Sequence, residues 1–135
     1  MKIIIPLFAL VLTVPVLLAT DCNQPKKCPP DTMCTEVFVM VSVKVLDGND
    51  QPVKLDEVYT VRESNNEKLL FEQNMDQYYV VLDDSYQKKL QQQSDKFRFV
   101  GMKNGQKLVD EIFVISADCC HVKKESGKEQ VILPK

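Results

Sequence analysis

The densest group of reactive side chains in this sequence is Asp118-Cys119-Cys120-His121, and His121 is the only histidine of the chain. Three chemistries compete for it. A metal would take Cys119, Cys120 and His121, with Cys34 as a fourth ligand. Zinc sites, however, separate paired cysteines so that both thiolates reach one ion, whereas adjacent cysteines on a strand point to opposite faces. No metal and no cofactor is expected. Nucleophilic catalysis would need a thiolate facing His121, which a neighbour one residue away on a strand does not provide. A Ser-His-Asp triad would have to use the same histidine, and no nucleophile-elbow motif exists. A thiol-redox or metal-dependent protein built on Cys119, Cys120 and His121 is therefore the alternative, and no enzyme is the expectation.

The third chemistry is structural. The other cysteines, Cys22, Cys28 and Cys34, lie far upstream, and the simplest pairing is Cys34 to Cys120, with Cys28 or Cys22 to Cys119. A bond from Cys34 to Cys120 closes a loop of 86 residue steps, for which chain entropy allows up to about 4–5 kcal/mol. A bond between Cys119 and Cys120 themselves would be strained. Five cysteines leave one over. Either Cys22 is the lipidated first residue of a mature lipoprotein, although Asp21 before it departs from the usual small residue, or one thiol is free or intermolecular.

Disulfides presuppose an oxidising compartment, and the N-terminus supplies the route. Lys2 is followed by an apolar run from Ile3 to Leu18, then Ala19 and Thr20. That is the layout of a secretory signal peptide over residues 1–20, too short and too Pro-broken for a membrane span. Without Lys2 the chain keeps 16 basic side chains against 19 acidic ones, a formal charge of −3. So mild a balance excludes nucleic acid as a partner. Residues 21–35, with Pro25, Pro29 and Pro30, read as a Pro/Cys-rich tether, and residues 36–135 as the folded domain.

The elements that must position the cysteines are strands. From Glu36 to Leu46, Val37, Val39, Val41, Val43 and Val45 fall on every second position and form one face of a core wall. Asp47-Gly48-Asn49-Asp50 turns the chain. Its acidic groups could bind calcium weakly, but a plain turn accounts for them. Val58 to Val61 form a second strand, and Ser64 to Glu67 turn it back into Leu69, Leu70 and Phe71. Gln77 to Leu82 is apolar on both faces and is expected mid-sheet. Asp83, Asp84 and Ser85 are helix caps, and a two-turn helix with a solvated Lys- and Gln-rich face follows to Leu90. Phe97 to Val100 and Leu108 to Ile115 form a hairpin about Asn104-Gly105, with a bulge at Val109-Asp110-Glu111. Cys120 to Val122 open a last hairpin, turned at Glu125 to Lys128 and closed by Val131 to Leu133. The fold class is all-β: a two-layer antiparallel β-sandwich, Ig-like or transthyretin-like, of seven to eight strands with one short helix.

The run Val43-Lys44-Val45-Leu46-Asp47-Gly48-Asn49-Asp50-Gln51-Pro52-Val53 resembles the opening of carboxypeptidase regulatory-like or transthyretin-like sandwich modules of small exported bacterial proteins, where a strand leads through an Asp-Gly turn to Pro-Val. The resemblance implies export and a non-catalytic role, and carries over no functional residue. The ending Ala117 to Val122 is similar to that of small exported bacterial β proteins.

Together these readings predict a secreted or cell-envelope module with a binding or structural accessory role and an unknown protein or glycan ligand. A carbohydrate- or peptide-binding module is the other expectation, with Tyr78, Tyr79 and Tyr86 as the sugar-facing candidates.

Overall fold

A computed structural model describes residues 27–73 and 77–134 of the 135. The segment expected to be a signal peptide, the first part of the expected tether and the lipidation candidate Cys22 lie outside the described residues. Among the described residues eight strands form two sheets: β1 (Met40–Leu46), β2 (Glu57–Arg62), β3 (Glu67–Leu69), β4 (Tyr78–Asp83), β5 (Ser94–Lys103), β6 (Gln106–Ala117), β7 (Val122–Ser126) and β8 (Gln130–Ile132). A 3-10 turn at Asp84–Tyr86 and one helical turn, α1 (Gln87–Leu90), stand between β4 and β5. The smaller sheet runs β4-β1-β8 and the larger β3-β2-β5-β6-β7.

The alternation of valines makes β1 the inner wall of the smaller sheet. Val43 and Val45 are sealed off from solvent and meet Phe97, Phe99 and Phe113 of the larger sheet. Thr60 pins the layers together, its hydroxyl donating across the core from β2 to the Val81 carbonyl of β4 at 2.7 Å. Asn104 and Gly105 both take positive φ, 49° and 74°, as the two-residue turn between β5 and β6 requires.

Several expectations are corrected. The first strand begins at Met40, not Glu36, and Val37 and Phe38 are 63% and 57% exposed. The reason is a lack of partners: β4 ends where Asp83 pairs with Met40, and β8 reaches only Lys44 to Leu46. Gln77 to Leu82 yields an edge strand, β4, rather than a central one. Val81 and Leu82 are buried in the core, and at the free edge Gln73 stands in for a neighbouring strand, its side-chain amide accepting from the Val80 N–H at 2.8 Å and facing the Val80 carbonyl. The bulge lies slightly earlier than expected. Gly101 pairs with Val109 and Met102 with Lys107, so Leu108 is the extra residue.

The last hairpin does not form. β7 pairs with β6 in the larger sheet, and β8 crosses to the smaller one, where it runs parallel to β1. Gly127 makes the crossing, with φ at 131° and its backbone so close to Phe113 that a Cβ there would come within 2.3 Å of the ring.

Candidate functional site

The tether enters the fold as a strap, residues 28–39, laid against the bend between β6 and β7. Cys28 is bonded to Cys119 and Cys34 to Cys120, with Cα–Cα distances of 5.5 and 5.4 Å. Cys119 and Cys120 are not on a strand, as the sequence reading assumed, but in that bend. Asp118 shapes it: one carboxylate oxygen accepts from the N–H groups of Cys120 and His121, both at 2.7 Å. Those two backbone donors hold the Asp118 carboxyl below the usual aspartate range.

Next to the bonds lies a hydrogen-bonded chain joining three parts of the protein. His121 Nδ1 is 2.8 Å from Asp84 Oδ2, and its Nε2 is 3.0 Å from the Thr35 hydroxyl. Asp84 also accepts from Val39 N–H of the strap and Val122 N–H of β7, each at 2.8 Å. Burial of its side chain, 9% exposed, raises the pKa of Asp84, but the bonds from Val39, His121 and Val122 outweigh that and keep it below the ordinary aspartate range. An ionised carboxylate only accepts, so the hydrogen of that bond sits on Nδ1, while the Thr35 hydroxyl is able to donate to Nε2 or to accept from it.

The second expected cap is thus no cap. Asp83 alone caps the 3-10 turn, accepting from Ser85 N–H at 2.9 Å, which frees Asp84 to bind strap and bend together. Of the face expected to be solvated, Lys88, Lys89 and Gln92 are exposed, but some of its glutamines have partners in the protein. Gln87 is buried and donates to the Asp118 carbonyl at 2.7 Å, while the Gln91 and Gln92 amides sit against the sulfurs of Cys28 and Cys119.

The order hydroxyl, Nε2, Nδ1–H, carboxylate is that of a hydrolase triad. Here Thr35 lies on an exposed strap. A cleft of about 550 Å³ nearby is lined by Gln92, Gln93, Ser94, Ser116, Lys123 and Glu125, among others, and by none of the three relay residues. What the three residues visibly do is fasten strap, 3-10 turn and bend to one another, as a latch does. All four described cysteines are in disulfides, so none of them presents a thiolate in this state.

The three tyrosines share no surface. Tyr86 is buried edge-on against Phe97, and Tyr79 is half-buried, its hydroxyl accepting from Leu55 N–H and donating to the Val53 carbonyl, both at 2.8 Å. Tyr78 is exposed. In the first turn, one Asp47 oxygen accepts from the N–H groups of Asn49 and Gln51, the plain turn expected there. Asp84 and Thr35 were missed by sequence reasoning. The one available signal was the doubled aspartate at Asp83-Asp84, of which a single cap uses only one.

No family model, curated protein or solved structure matches the chain.

Proposed function

We propose that the protein is an exported, non-catalytic β-sandwich module that acts through its surface at the cell envelope, as a binding or structural accessory. The supporting observation is that the groups able to react are already committed. Four cysteines join the strap to the bend, and the only histidine is hydrogen-bonded at both ring nitrogens. Two such bonds persist in an oxidising compartment, in accord with the leader reading of residues 1–20. No helix among the described residues is long and apolar enough to cross a membrane. Pairing of the other four leaves Cys22 as the residue for a lipid anchor or for a bond to another chain. The resemblance to transthyretin-like modules rests on Val43 to Val53 and on the single short helix between later strands.

The test is a mass measurement on the unreduced mature chain from the cells that make it. Loss of the leader, two intact disulfides and no reactive thiol among Cys28, Cys34, Cys119 and Cys120 is the expected result, and the same spectrum reads lipid on Cys22. A folded chain recovered from the cytosol with those four thiols reduced would overturn the reading in favour of thiol chemistry.

A second reading, ligand binding, is favoured by the polar cleft beside β7. Its lining of amide, hydroxyl, amine and carboxylate groups suits a glycan or a peptide backbone.

A further inference from the structure

We propose that the chain of bonds from Asp84 through His121 to Thr35 is an alignment device: it sets which of the adjacent cysteines receives which cysteine of the strap, and so selects the disulfide pairing. The inference rests on the fold and is independent of the accessory role.

Four cysteines can pair in three ways. Proximity in the unfolded chain favours a local bond between Cys28 and Cys34. They are 6 residues apart, against 91 for Cys28 and Cys119, a difference worth roughly 50-fold in loop closure. Proximity also fails to separate the observed pairing from the crossed one, Cys28 with Cys120 and Cys34 with Cys119, because the two acceptors are neighbours. Something other than the sulfurs must discriminate.

The latch has the geometry to do so. Thr35 and His121 each stand one residue beyond the bonded Cys34 and Cys120, so their hydrogen bond and that disulfide report the same alignment of strap and bend. In the crossed isomer Thr35 would follow a cysteine tied to Cys119 and would lie over Cys120, away from the ring. Asp84 fixes both sides of this alignment, holding Val39 of the strap, His121 of the bend and Val122 at the start of β7 on one carboxylate. None of these contacts needs an oxidised sulfur, so they can form first. Each disulfide then forms as two thiols give two protons and two electrons to a disulfide oxidant, such as glutathione disulfide, which leaves as two thiols. A misplaced bond is corrected when a thiolate attacks it and expels one sulfur as a new thiolate.

The test is oxidative refolding of the fully reduced chain, with Cys22→Ser in every variant so that only the four paired thiols compete, in a buffer of glutathione and glutathione disulfide. Isomers are trapped by alkylation, separated, and assigned by fragmentation between Cys119 and Cys120. Thr35→Val and His121→Ala should each lower the ratio of observed to other pairings by roughly 5-fold, the weight of one net hydrogen bond. Thr35→Ser, which keeps the hydroxyl, should restore it. Val131→Ala, a core change outside the latch, should reduce the folded yield and leave the ratio as it is. Wild-type ratios in both Thr35→Val and His121→Ala, or a ratio moved equally by Val131→Ala, would overturn the proposal.

Discussion

Thr35 and His121, 86 residues apart in the chain, are joined by a 3.0 Å hydrogen bond directly beside the disulfide between Cys34 and Cys120. The covalent and non-covalent fastenings of the strap are therefore in register. Several consequences can be measured.

Asp84 should be the most sensitive polar residue of this region. Asp84→Asn leaves one carbonyl oxygen where a carboxylate now accepts three hydrogen bonds, and the expected loss is about 1–3 kcal/mol in urea unfolding. Asp83→Asn, which preserves a cap, should be nearly neutral. The folded-state pKa of Asp84 is depressed from its ordinary 3.8. Its contribution is thus complete above that value and is lost as pH falls through the lower folded value. Unfolding midpoints followed into acid should show a weaker pH dependence in Asp84→Asn than in the wild type.

The two disulfides should be strongly non-additive. Once either bond exists, the other closes only the small ring made by the spans Cys28 to Cys34 and Cys119 to Cys120. On chain entropy, Cys28→Ser with Cys119→Ser, or Cys34→Ser with Cys120→Ser, should each cost about 2.5 kcal/mol, and all four together about 7 kcal/mol. Equal costs for the two steps in denaturant titrations would contradict the nested arrangement.

Gly127 and Gly105 both have positive φ but should respond differently. Gly127→Ala drives a methyl into Phe113, with an expected loss of about 3 kcal/mol or more. At Gly105 nothing lies within 4 Å of an added Cβ, so the alanine should cost about 1–2 kcal/mol for its backbone conformation alone. Thermal melts of the two variants give the comparison.

Gln73→Ala should expose the outer edge of β4. Because the Gln73 side chain engages both backbone groups of Val80, hydrogen exchange at the Val80 amide should accelerate by roughly tenfold, with little change at the core strand β6.

The sandwich was legible in the sequence because its strands follow local rules. Val41, Val43 and Val45 alternate into the core, and Asn104-Gly105 marks its own turn. What was illegible depends on partners distant in sequence. Val37 and Phe38 continue the alternation perfectly, yet no strand reaches them. Gln73 completes an edge that the sequence presents as an interior strand. Glu125 to Lys128 has the composition of a hairpin turn, and only the contact of Gly127 with Phe113 shows that the chain changes sheets there. The cysteines announced a link between the ends of the domain, but Asp84, which organises the bend around them, looked like one of two interchangeable caps.

The parallel pairing of β1 with β8 has a consequence for how this protein comes into being. β1 has β4 on one flank and waits on the other for residues 130–132, which pair with its last three residues, Lys44 to Leu46, so a nascent polypeptide of any shorter length carries an unzipped seam there. Domains that close through such distant contacts mature slowly, on the order of milliseconds to seconds. The backbone edge of β1 over Lys44 to Leu46 therefore stays open until residues 130–132 have been made, and an open strand edge is a template for pairing with another chain in the meantime.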